Sequence, residues 1–136
     1  PFDFKGQKEL GRGNFTKIPN GLGGVEERVA LAYTAGVLGG KITLEQWVKV
    51  AAENPARIFG LWGRKGTIAP GFDADLVVWD PEAKRVISQK TQSLDTDYNP
   101  YEGFAVQGAP EVVTVRGEIM VRGGTFVGPA GRGRLL

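Results

Sequence analysis

Lys17-Ile18-Pro19-Asn20-Gly21-Leu22-Gly23-Gly24-Val25-Glu26-Glu27-Arg28 and Gly71-Phe72-Asp73-Ala74-Asp75-Leu76-Val77-Val78-Trp79-Asp80-Pro81 decide the reading of this 136-residue chain. The first is a polar, glycine-relaxed loop that runs straight into a helix. The second is a turn feeding a buried strand. Between the two stretches the apolar spacing is helical, and beyond Leu61 it changes to a period of two. Val25, Val29, Ala32 and Gly36 predict one helix face, with Tyr33 and Val37 beside it. Gly39-Gly40 ends that helix as a C-cap pair. Thr43 to Gln46 reads as a capping box, with Ile42 and Trp47 placed as a hydrophobic staple. Leu44, Trp47, Val48 and Ala51 then form a stripe. Asn54-Pro55 reads as a fresh N-cap with proline at the first helical position, opening a short helix that stops at Gly60.

Strands are expected at Asp75 to Trp79, Arg85 to Ser88, Val112 to Arg116, Glu118 to Val121 and Thr125 to Val127. Pro70-Gly71 marks a turn, and Gly117 and Gly123-Gly124 are hairpin signals. Asp95 to Gly103 is a polar, aromatic loop. Helices in the first half and antiparallel strands in the second make the fold class α+β. Residues 1 to 23 show no sustained period beyond one turn at Gln7 to Leu10. A structureless stretch of that length is commonly functional.

Composition excludes several chemistries. The chain has no cysteine and no histidine, so thiol catalysis, zinc–thiolate sites and a histidine base are absent from it. No Ser–His–Asp set can be assembled, and neither Ser88 nor Ser93 lies in a nucleophile elbow. With 17 basic and 15 acidic residues the net charge is +2 and the basic residues are scattered, which argues against a nucleic-acid partner. No apolar run approaches the ~18 residues of a membrane span. No signal peptide is visible, so a cytoplasmic setting is the default. The start at Pro1-Phe2, without methionine, reads as a cut inside a longer protein.

Three acidic or glycine-rich groups have two readings each. Asp73 and Asp75, with Asp80 nearby, are a carboxylate pair or, with more weight, turn formers at a strand edge. Asp95, Asp97 and Glu102 around Tyr98-Asn99-Pro100-Tyr101 hold a cation or, with more weight, form a solvated or subunit-contact loop. Gly21-Leu22-Gly23-Gly24 is not a nucleotide motif. Its glycines instead permit close approach to a small polar substrate.

The whole chain resembles the dihydropyrimidinase/hydantoinase branch of the amidohydrolases. Phe15-Thr16-Lys17-Ile18-Pro19-Asn20-Gly21 is similar to that branch's substrate loop. Asn54-Pro55-Ala56-Arg57-Ile58-Phe59-Gly60-Leu61 and Arg64-Lys65-Gly66-Thr67-Ile68-Ala69 match its next segments. Ala74-Asp75-Leu76-Val77-Val78-Trp79-Asp80-Pro81 is shared more widely among amidohydrolases. Asp97-Tyr98-Asn99-Pro100-Tyr101-Glu102-Gly103 is closer to this branch alone.

The resemblance implies that residues 1–60 are the end of a metal-dependent (β/α)8 barrel, substrate loop plus last helices. Residues 61–136 would be the C-terminal part of a small β-sandwich. It implies a small cyclic amide as substrate, a dimer or tetramer in the intact parent, and two divalent metal ions there, usually zinc. Their ligands would lie upstream, the last one just before Pro1, so that this chain binds none. One site residue carries over: Asn20, which would contact the ring amide of the substrate through its backbone. The alternative is a non-catalytic dihydropyrimidinase-like scaffold, and an autonomous small α+β binding domain is a third reading. Alone, the chain is expected to be poorly stable, because barrel-facing helices and sandwich edges are uncovered.

Overall fold

The computed structural model describes residues 2–135. Pro1, the residue the resemblance places next to the last metal ligand, lies outside them. Helices fill the first half and one antiparallel sheet the second, so the α+β expectation holds. The first helical run is α1, Arg28–Ala32, continued without a break by π-helical turns over Tyr33–Leu38. The second run is α2, Leu44–Val48, a π-helical stretch Lys49–Glu53, and α3, Asn54–Ile58. The sheet has the order β1-β2-β3-β4, formed by Val77–Val86, Ala105–Val115, Glu118–Arg122 and Thr125–Phe126.

Local signals set the ends of these elements. The Thr43 hydroxyl accepts the Gln46 N–H at 3.2 Å, and Gln46 Oε1 accepts the Thr43 N–H at 2.8 Å. Both bonds satisfy amides that a helix start leaves orphaned. Thr43→Ala should therefore lower stability by about 1 kcal/mol. Chemical denaturation followed by tryptophan fluorescence measures it. Gly60 terminates the second run, where the Leu61 N–H reaches the Ala56 carbonyl at 2.7 Å. The β2–β3 hairpin turns on Arg116 and Gly117, with φ of 49° and 79°. Two successive positive φ values are the signature of a type I′ turn, which matches strand twist.

Three expectations need correction. Asn54 is not a fresh N-cap: its backbone is helical (φ −62°, ψ −45°) and its side chain caps nothing. The helix passes through Pro55 instead. Proline lacks an N–H and crowds the carbonyl four residues back, and the π-helical turn just before it loosens that spacing. The strands expected at Asp75–Trp79 and Arg85–Ser88 are one strand, β1, interrupted by register shifts after Val78 and between Asp80 and Lys84. Pro81 sits in that irregular stretch, where a missing N–H breaks no ladder bond. β2 likewise begins at Ala105, before the expected Val112, and runs through Gly108 and Pro110.

The third correction concerns the buried helix face. Val25 is 70% exposed, whereas Ala30 and Tyr33 are buried. This face, not the Val25–Val29–Ala32–Gly36 face, meets the sheet. Ala30 packs with Ile87 and Val106, and Leu31, Trp79 and Tyr101 close the cluster. Tyr33, Trp47 and Trp79 form a three-ring group with centroids 5.2–5.4 Å apart. A Cβ on Gly108 would stand 2.6 Å from the Trp79 ring, so only glycine lets β2 pass under that indole. Thr34 stitches helix to sheet, its hydroxyl accepting the Gln107 N–H and donating to the Gln107 carbonyl, both at 3.0 Å.

Glu27 is 1% exposed at the helix start. Its carboxylate receives both terminal nitrogens of Arg85 on β1, Nη1 to Oε1 at 3.3 Å and Nη2 to Oε2. That forked geometry is what allows a carboxylate to leave water here.

The accessible surface is 9439 Å² for a 14.6 kDa chain. A compact monomer of that mass exposes about 6,900 Å². Large apolar side chains contribute to it: Phe15, Leu22, Ile58, Phe59 and Ile68 are each more than 60% exposed. This fold carries surfaces shaped to be covered.

Candidate functional site

The loop around Asn20 is built from two short turns folded on each other. The first, Lys8–Gly11, is held to the segment before it by Lys8 N–H to the Asp3 carbonyl and Glu9 N–H to the Phe4 carbonyl, both 3.1 Å. The second, Phe15–Lys17, is capped by Asn14, whose Oδ1 accepts from the Thr16 N–H at 3.1 Å and the Thr16 hydroxyl at 2.7 Å. Ile18 then lies across Gly11 so closely that a Cβ there would sit 2.0 Å from Ile18 Cγ1. That fold-back carries the Lys8 ammonium to Pro19 and Gly21. Nζ donates to the Pro19 carbonyl at 3.0 Å and to the Gly21 carbonyl at 2.7 Å.

Asn20, between those two carbonyls, is exposed. Among the described residues nothing hydrogen-bonds its N–H, its carbonyl or its side chain. Gly21 has φ +111°, a backbone that L side chains rarely adopt, with open space around the position of a Cβ. The loop therefore offers one free main-chain donor and one free acceptor on a backbone fixed from behind.

The loop's exit is set by the 88–103 segment. Gly23 packs on Leu94, and Gly24 on Tyr101, at 3.5–3.6 Å from where a Cβ would be. The Ser93 N–H donates to Glu26 Oε2 at 2.8 Å, and the Arg28 N–H closes the first helical turn on the Gly24 carbonyl at 3.2 Å. Glu26 thus serves as an acceptor for a distant loop.

The acidic candidates other than Asp95 have structural partners. Asp73 Oδ2 lies 2.8 Å from Lys65 Nζ, and Asp75 also pairs with that ammonium. Asp75 further accepts the Arg116 N–H at 2.7 Å, tying the turn to the sheet. Burial opposes the charge on Asp75, but Lys65 and the Arg116 amide outweigh it and lower the carboxyl's pKa. Asp80 Oδ1 accepts the Glu82 N–H at 2.9 Å within the β1 irregularity. Glu102 accepts from the Ser88 hydroxyl at 2.8 Å and the Gln89 N–H at 2.6 Å.

Asp97 reaches across the molecule. Its carboxylate accepts the Lys5 N–H at 2.9 Å and the Phe4 N–H at 2.6 Å, and these two amides hold its pKa below the usual carboxylate range. A lowered carboxyl stabilises the fold above its ordinary pKa and loses that contribution as pH falls through the lowered one. The tie on residues 4 and 5 is therefore intact at neutral pH. Among the described residues no three acidic side chains converge to hold a metal ion. The chain also has no histidine and no cysteine, the commonest zinc ligands.

Asn20 and its glycine neighbours are visible in the sequence as a loop. Lys8 is not, and Asp97, read as part of a cation-binding or solvated loop, instead ties residues 4 and 5; the partners of Lys8, Ser93 and Asp97 lie across fold-backs that no local spacing encodes.

Comparison with known proteins gives this arrangement a family. The profile described as "Amidohydrolase family" matches residues 22–120. D-hydantoinase from Geobacillus stearothermophilus is 54% identical over 135 residues, covering 99% of this chain and 29% of the relative. D-hydantoinase from Streptomyces coelicolor is 50% identical over 133 residues, covering 98% and 28%. The solved structure of D-hydantoinase (dihydropyrimidinase) from Thermus sp. superposes with a TM-score of 0.95 at 53% identity, covering 100% of this chain and 30% of that one. The chain thus spans less than a third of the length of the curated relatives that it matches. A profile match across most of the sequence, with the loop, helices and sheet superposing together, places this chain in the amidohydrolase family.

Proposed function

We propose that this chain is the C-terminal part of a metal-dependent cyclic-amide hydrolase of the dihydropyrimidinase/hydantoinase type. The reaction would open the ring of a 5,6-dihydropyrimidine or a hydantoin. Water adds across a ring C–N amide bond, leaving a carboxylate on one side and the released nitrogen on the other. In this reading residues 1–60 close the barrel domain and residues 61–136 belong to the small β-sandwich. The two divalent metal ions, zinc by preference, would be held by residues outside this chain and would supply the activated water. The full-length enzyme would work in the cytoplasm as a dimer or tetramer.

The observation that carries the reading is Asn20. A ring amide presents one N–H and one C=O, and a single residue's main chain can complement both. Asn20 offers that pair free of internal partners, on a loop whose fixed backbone would hold the ring in place. The names of the curated relatives and the apolar surface left uncovered support a role as part of such an enzyme.

The full-length enzyme, loaded with zinc, should hydrolyse hydantoin or dihydrouracil. The 136-residue chain alone should not, even with added zinc. Ring opening is followed by loss of ultraviolet absorbance. A full-length enzyme inert on both substrates would favour the scaffold reading, and turnover by the short chain above a zinc-only blank would overturn the assignment of the metal ligands.

A further inference from the structure

Lys8 is sited apart from the loop it touches, on a turn eleven residues before Pro19 and thirteen before Gly21. An ammonium on a flexible stem is ordinarily solvated. Here two of its three donors are committed to two carbonyls that flank one residue. We infer that Lys8 is the positioning residue of the ring-amide subsite, turning the Asn20 main chain toward the substrate and strengthening its N–H as a donor. The inference rests on the reading of Asn20 given above.

Two physical steps support it. The Pro19–Asn20 peptide is trans and planar, as none of the described peptide bonds is cis. Its C=O and N–H therefore point in opposite directions. With the Pro19 oxygen drawn to Lys8, the Asn20 N–H must face away from Lys8, toward the open side of the loop. The second step is polarisation. A cation on the carbonyl oxygen of a peptide withdraws charge through the amide, so the N–H of the same peptide becomes a stronger donor. The Gly21 carbonyl, taken by the same ammonium, fixes the Gly21–Leu22 peptide, so the Asn20–Gly21 peptide is held between two anchored ones.

The platform beneath Lys8 is itself anchored. Asp97 holds the amides of Phe4 and Lys5, and the Asp3 and Phe4 carbonyls receive the Lys8 and Glu9 amides. Ile18 closes over Gly11. Lys8 is thus held at its backbone by one set of contacts and at its ammonium by another, which suits a clamp better than a mobile surface lysine.

The test uses the full-length, zinc-loaded enzyme with hydantoin as substrate, comparing wild type, Lys8→Met and Lys8→Arg. A contact made equally in the ground and transition states alters KM and spares kcat. Lys8→Met should raise KM about tenfold with kcat within about threefold, and Lys8→Arg, which keeps a charged donor for two carbonyls, should recover most of the loss. Trypsin cleavage after Lys17, read by mass spectrometry, should quicken in Lys8→Met and not in Lys8→Arg. An unchanged KM in Lys8→Met, a loss confined to kcat, or equal impairment of both variants would overturn the inference. A wild type that neither binds nor turns over hydantoin would overturn the ring-amide subsite with the proposed function. In that event the trypsin pattern still separates a loop clamped by Lys8 from one that is not.

Discussion

Replacing Arg85 by methionine should cost about 3–5 kcal/mol of stability, the range for stranding a buried charge without its partner. Glu27 is 1% exposed, and the guanidinium supplies donors to both of its oxygens. Methionine keeps most of the arginine stem's bulk, so the loss isolates the charge. Even a typical domain has only about 5–15 kcal/mol of stability, and this chain is expected to have less, so the loss is a large share. Unfolding in urea, followed by the fluorescence of the Trp47–Trp79 group, should shift sharply or lose its cooperativity. The double variant Glu27→Leu/Arg85→Met should recover much of the loss, because an apolar pair of similar volume removes the desolvation cost of the charges together with their attraction. If the single variant unfolds like wild type, or the double variant is worse than the single, the pair does not hold helix to sheet.

The same pair shows where sequence reading stops. Glu27, the N-cap residue just before α1, satisfies a local rule about charge at helix starts. Its partner lies 58 residues away, and nothing in the spacing of either residue announces the other. Features closed within a few residues are legible: the Thr43–Gln46 box, the hairpin turn at Gly117 and the stop at Gly60. Features that depend on what a neighbouring element tolerates are not. Gly108 and Pro110 lie before the strand expected at Val112, yet β2 runs through them, with Gly108 passing under Trp79. Asn54-Pro55 reads as a new start, yet π-helical turns carry the helix across. Val25 and Val29 promised the core face, yet Ala30 and Tyr33 took it, since the sheet with Arg85 meets that side. For the candidate site the result is similar. Pro19-Asn20-Gly21 declares a special loop by its residue types, whereas the lysine that holds it from behind is ordinary in every local respect.

Gly21→Val should reduce kcat/KM of the full-length enzyme on cyclic amides about a hundredfold, the loss that a one-ångström misplacement can cause. The reason is conformational. A Cβ at residue 21 would meet nothing within 4 Å, so no neighbour is struck. The φ of +111° is the obstacle, since a β-branched side chain is strongly disfavoured there. Valine would rotate the backbone to negative φ, lift the Gly21 carbonyl from Lys8 and swing the Asn20 carbonyl with it. Asn20→Ala is the matched control. It removes an exposed side chain that makes no hydrogen bond among the described residues and leaves the main chain in place, so activity should stay within about threefold, as for a surface change of roughly half a kcal/mol. The order of the two effects is the diagnostic. A donor–acceptor pair on the backbone predicts that the substitution with no steric contact is severe and the loss of the asparagine amide is mild. Should Asn20→Ala abolish turnover while Gly21→Val leaves it intact, recognition would lie in the side chain, and the main-chain role would be wrong.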